Sequence, residues 1–143
     1  MKKAFVLVGL LLAAFSGTVS AAVVPITLSF EAITCNNLAN TIIGEAQLFV
    51  DVSDSGPGTV TFTFRNIGDK PSVITEVYFD DGSLLERSTI INGPGVTFIP
   101  DAVPTNVPGA SHASPPFEAI LSFSAEADNP APKKGVGPSE YVS

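Results

Sequence analysis

Between Thr59 and Phe64 the chain reads TVTFTF, with an apolar side chain at every second position and a threonine before each. A repeat of two is the period of a strand, and it puts Val60, Phe62 and Phe64 on one face. The stretches ITLSFEAI (26–33), EAQLFVDVS (45–53), SVITEVYFD (72–80), GVTFIP (95–100) and FEAILSFSA (117–125) read the same way. In the last of these, Phe117, Ala119, Leu121 and Phe123 share a face. The breaks carry turn chemistry. In DSGPG (54–58) and NIGD (66–69), glycines accept positive φ and aspartates cap a turn through their own side chains, which predicts hairpin connections. Strands at short intervals between turn signals predict an all-β fold, an antiparallel β-sandwich.

No segment shows a sustained helical period. NNLANTII (36–43) is rich in Asn and Thr, poor helix formers, and predicts a loop or one short turn. Residues 100–116 contain five prolines and predict a long extended connection, either a crossover between sheets or a functional loop. The sequence has no internal repeat.

Met1–Ala21 combines Lys2 and Lys3, an uncharged apolar run from Ala4 to Phe15 and small residues ending in Val19-Ser20-Ala21. That pattern reads as a secretory signal peptide, the run being shorter than the roughly 20 residues a spanning helix needs. Cleavage after Ala21 leaves residues 22–143 as a single secreted domain, at the surface, outside the cell or in the periplasm. The remaining chain has five Lys and Arg against fourteen Asp and Glu, a net charge of −9. Such a surface repels nucleic acid and anionic membranes. No second apolar segment of spanning length follows, so no membrane span is expected in the mature chain.

Cys35 is the only cysteine, which rules out an intrachain disulfide; it reads as a small buried hydrophobe, with an intermolecular bridge as the alternative.

The segment Phe79-Asp80-Asp81-Gly82 has two readings. An Asp-Gly step between apolar stretches is a hairpin corner, and the corner alone accounts for the residues. Two adjacent carboxylates at a loop are also the hard oxygen donors that calcium takes. Other acidic loops contain Asp51, Asp54, Asp101, Glu126 and Asp128, and a site assembled between loops would draw first on Asp80, Asp81 and Asp128. None of them fits the twelve-residue calcium loop.

Glu76 and Glu118 could serve as the paired carboxylates of glycoside hydrolysis, but they read as solvent-facing charges on a half-buried sheet. His112, the only histidine, reads as a solvated loop residue; no G-x-S-x-G elbow supplies a nucleophile and no second histidine a zinc site. Gly56-Pro57-Gly58 and Gly93-Pro94-Gly95 have prolines where a phosphate cradle needs N–H donors. Tyr78, Phe79 and Tyr141 are the aromatics expected to be part-exposed.

Taken in order, TFTFRNIG (61–68), ITEVYFDDGSLL (74–85), GVTF (95–98), PTNVPGA (104–110) and FSAEADNPAPKKGVGPSE (123–140) resemble a domain common among exported bacterial proteins of the PEP-CTERM group. The resemblance covers about Val60 to Glu140. It implies a secreted or surface-associated protein linked to extracellular polysaccharide and biofilm, and it supplies no catalytic residue. It also implies that the tail EADNPAPKKGVGPSEYVS (126–143), which by composition reads as a disordered end, belongs to the domain. Members of the group continue into a further strand, a Pro-Glu-Pro motif, an apolar helix and a basic cluster. Against that pattern the chain reads as truncated, with a sheet edge or core face left uncovered.

The expectation is therefore a non-enzymatic binding or structural module without a cofactor, calcium aside, that engages extracellular polysaccharide or a surface protein. The alternatives are a small glycan hydrolase and a truncated product without activity of its own.

Overall fold

A computed structural model describes residues 24–80, 88–100, 102, 107, 109–113, 115–118 and 123–143. The described elements are β1 (Ile26–Ser29), α1 (Leu38–Gln47), β2 (Leu48–Gly56), β3 (Thr59–Asn66), β4 (Glu76–Val77), β5 (Phe98–Pro100), a 3-10 turn (Ala110–His112), β6 (Ala125–Ala127), α2 (Ala131–Lys134) and β7 (Tyr141–Val142). The strands form two antiparallel sheets, β1-β2-β3-β7 and β4-β6-β5, so the fold is mainly β.

The β2–β3 hairpin is the longest ladder, running from Leu48↔Asn66 to Gly56↔Thr59 with a bulge at Asp54/Gly56. Its corner is the DSGPG turn. The Gly56 N–H donates to Asp54 Oδ1 at 2.8 Å, and Gly58 takes φ +71°, a left-handed conformation that a side chain would strain.

Alternation decides which way each side chain goes. Phe62 and Phe64 meet Phe79 edge-on at 5.1 and 6.1 Å, and Phe64 also stacks on Phe30 at 6.3 Å. The opposite face is polar. Asp51 accepts from Thr27 Oγ1 at 2.6 Å and from Arg65 Nη2 at 2.9 Å. Arg65 Nε lies 2.6 Å from Asp51 Oδ2, ion-paired but off hydrogen-bond angle.

The buried core joins the two sheets. Val142 and the partly buried Phe64 come from one; Phe98 and Ala127 come from the other, and Val96 and Val136 fill in from the connections. Val136 is fully buried and its backbone bridges Ile74. Burying a Phe or Val side chain contributes about 1.5–3 kcal/mol, so a tail carrying Val136 and Val142 is held in place rather than disordered.

Several expectations need correction. NNLANTII does not form a loop or single turn: it opens the ten-residue α1. Asn37 caps it, its Oδ1 accepting from the Asn40 N–H at 3.2 Å. The expected strand 45–53 starts at Leu48, because Glu45–Gln47 complete the helix. The last residue of α1, Gln47, is buried and anchors the connection after β3. Its Nε2 donates to the Lys70 carbonyl at 3.0 Å and to Ser72 Oγ at 2.8 Å, while its Oε1 accepts from the Lys70 N–H at 2.9 Å. Asn66, 1% exposed, donates to the Ser72 carbonyl at 2.9 Å.

That network turns the expected NIGD hairpin into a crossover between the sheets. In SVITEVYFD only Glu76 and Val77 pair as a strand. Phe117 and Glu118 are not in a strand, and β6 instead occupies Ala125–Ala127; residues 119–122 lie outside the described residues. Cys35 is exposed, not buried.

Candidate functional site

After β1 the chain does not turn straight into its neighbour. Residues 30–37 form a strap that runs out to the N-terminus of α1, and between strap and helix lies a cleft of about 360 Å³. That volume is at the small end of the roughly 300–1,000 Å³ of ligand pockets. Phe30 lines the cleft and is fixed from behind by its stacking on Phe64.

Strap and helix are tied at two points. The Ala32 N–H donates to Glu45 Oε1 at 3.0 Å, and Thr41 Oγ1 donates to Cys35 Sγ at 3.5 Å. Beside Gly44 and Leu48, the lining carries hydrogen-bonding side chains: Thr34, Asn36, Asn37, Asn40 and Thr41, with Glu31 at the strap. Each primary amide offers two donors and one acceptor oxygen, and the Thr hydroxyl offers both functions. Asn37 has committed Oδ1 to the helix cap, which leaves its NH₂ group for other partners. An aromatic surface beside several amides suits a ligand with an apolar face and a rim of hydroxyls. The 3-10 turn borders the strap: a Cβ on Gly109 would stand 3.3 Å from Thr34 Cγ2.

The residues singled out in the sequence lie elsewhere. Asp80 is exposed and accepts the Glu118 N–H at 3.1 Å; Asp81 lies outside the described residues, as does the rest of the FDDG corner. Asp128 is exposed beyond the end of β6, its Oδ1 accepting the Asn129 N–H at 2.8 Å. The register Glu76↔Glu126 and Val77↔Ala125 runs antiparallel, so Asp80 and Asp128 leave the ladder at opposite ends. Among the described residues, no group of three His, Cys, Asp or Glu side chains could hold a metal ion.

Glu76 and Glu118 are both exposed. Glu76 accepts the Tyr78 hydroxyl at 2.9 Å. Burial, that hydrogen bond and the charges of Glu76 and Glu126 push the Tyr78 phenol up to about 12. His112 is exposed on the 3-10 turn. Tyr78 and Phe79 are half-buried and Tyr141 is exposed. No helix among the described residues is long and apolar enough to cross a membrane.

Sequence reasoning missed Phe30, Asn36, Asn37, Asn40 and Thr41. The available signal was Asn37 three residues before Asn40, followed by the helical spacing of Leu38 and Ile42; it loses to composition when Asn and Thr are scored as breakers.

Comparison with known proteins gave no matching family model, no similar curated protein and no similar solved structure.

Proposed function

We propose that the protein is an exported, non-enzymatic binding module of the cell surface or extracellular matrix, its two sheets packed as a sandwich, and that it holds a hydroxyl-rich ligand in the cleft beside α1. The observation that carries this reading is the grouping of Asn36, Asn37, Asn40 and Thr41 around Phe30 in one cleft. Extracellular polysaccharide is the ligand class in keeping with the amide lining, with the signal-like Met1–Ala21 and with the resemblance to PEP-CTERM proteins. Affinity electrophoresis through gels containing neutral or acidic polysaccharide tests it. Retarded migration that Asn40→Ala and Phe30→Ala both relieve supports the reading; unretarded migration in every gel contradicts it.

A glycan hydrolase is the second reading, favoured by one feature: Glu31 and Glu45 line the same cleft. Glu45 is already engaged by the Ala32 N–H, which suits a structural role. Release of reducing ends from a bound polysaccharide, abolished by Glu31→Gln, would establish hydrolysis in its place.

A further inference from the structure

The first sheet ends on β1, whose only strand neighbour among the described residues is β2. An edge strand presents unpaired N–H and C=O groups, and proteins protect such edges with charge, proline, bulges or very short strands. Here protection is slight. All four residues of β1 are exposed and pair with β2 without a bulge, and Val24–Phe30 contains no charged side chain and a single proline, Pro25. Ile26 and Leu28, 63% and 49% exposed, lie on the apolar face of the sheet, and Ile26 lines a shallow groove with Val24, Val52 and Val60.

We propose that β1 is the dimer interface of this protein, pairing antiparallel with β1 of a second copy about a two-fold axis through Thr27. Two observations select a second copy as the occupant. The first is charge. The chain carries a net charge of −7, so another copy is repelled over most of the surface, whereas Val24–Phe30 can be approached with no carboxylate on the pairing strand.

The second is register. Antiparallel pairing about a two-fold axis sets residue i opposite residue j with a constant sum, and side chains stay on matching faces only when that sum is even. A sum of 54 sets Thr27 opposite itself and Ile26 opposite Leu28, with Val24 opposite Phe30 at the flanks. Every apolar side chain then meets an apolar one, and the four-stranded sheet becomes one of eight strands. A slip of one residue would set Ile26 against Thr27, and a slip of two would leave Val24 or Phe30 opposite a position outside Val24–Phe30, so a sum of 54 is the register that pairs all four within the segment.

Sedimentation equilibrium of the purified protein under reducing conditions, across a range of concentrations, tests the proposal. A reversible monomer–dimer equilibrium is expected, weakened by at least about tenfold in Ile26→Lys/Leu28→Lys, where like charges face each other across the axis. A second variant covers the case in which those lysines impair folding. In a Cys35→Ser background, Thr27→Cys sets the two thiols opposite each other and should cross-link on mild oxidation, whereas Ser55→Cys at the distant hairpin should not. A monomer at every concentration overturns the proposal and leaves the edge to a different protein. A dimer that survives both lysines, or equal cross-linking at positions 27 and 55, overturns it as well.

Discussion

The side-chain amide of Gln47, the last residue of α1, donates to Asn66 Oδ1 at 3.4 Å, linking the helix to the last residue of β3 across 19 positions of sequence. The Asn66 oxygen also accepts the Gly68 N–H at 3.4 Å. Gly68 is required by this packing, since a Cβ there would collide with the Gln47 side chain. Gly68→Ala and Gln47→Ala should each lower stability by about 1–3 kcal/mol, the cost of leaving buried amide partners unsatisfied. Urea unfolding measures this, and a loss of a few tenths of a kcal/mol in both variants would contradict it.

Acid should act through Asp51. The Thr27 hydrogen bond, then the Arg65 hydrogen bond and charge, hold its carboxyl below the ordinary value of 3.8, against a smaller opposing effect of burial. A carboxyl depressed in the folded state stabilises above its unfolded value, and that contribution disappears as pH falls through the folded value. The urea midpoint should therefore drop below about pH 4, and Asp51→Asn should start lower and vary less over the same range. An unaltered pH profile in the variant would count against the Thr27–Asp51–Arg65 cluster.

At alkaline pH the sign reverses for Tyr78. Its phenol rises from 10.0 to about 12 in the folded protein, first through burial and then through Glu76. The folded state thus keeps a proton that the unfolded state gives up, so stability is present below pH 10 and is lost between about 10 and 12. Phenolate absorbance should show a late step that Tyr78→Phe removes; the same late step in the variant would assign it elsewhere.

Cys35 is exposed on the strap, so a thiol reagent such as dithionitrobenzoate should label the native protein at a rate within roughly an order of magnitude of the unfolded chain. Labelling that requires denaturant would return Cys35 to the interior.

What the sequence made legible was local. TVTFTF could be read as a strand because its period of two survives unchanged in β3, and DSGPG as a corner because Asp54 and its glycines satisfy the turn themselves. What escaped depended on distant partners. α1 is anchored by Gln47 on Lys70 and Ser72, and no window around NNLANTII contains those residues. Of the described residues of FEAILSFSA, Phe117 and Glu118 lie outside any strand and Ala125 opens β6, whose partners are Glu76, Val77 and Phe98–Pro100. The tail looks polar because its buried side chains, Ala127, Val136 and Val142, are separated by polar and turn residues and join one core cluster with Ile74 and Phe64. The cleft followed the same rule: its residues adjoin in sequence, but strap and α1 together bring them around one cleft with Phe30.

The most direct test of the account is titration of isotope-labelled protein with soluble polysaccharides, dextran as the neutral probe and alginate as the acidic one, followed by backbone amide shifts. The account predicts shifts concentrated at Asn36, Asn37, Asn40 and Thr41 with at least one of the two, absent in Asn40→Ala. Shifts confined to the β4-β6-β5 sheet, or none with either polysaccharide, would contradict it.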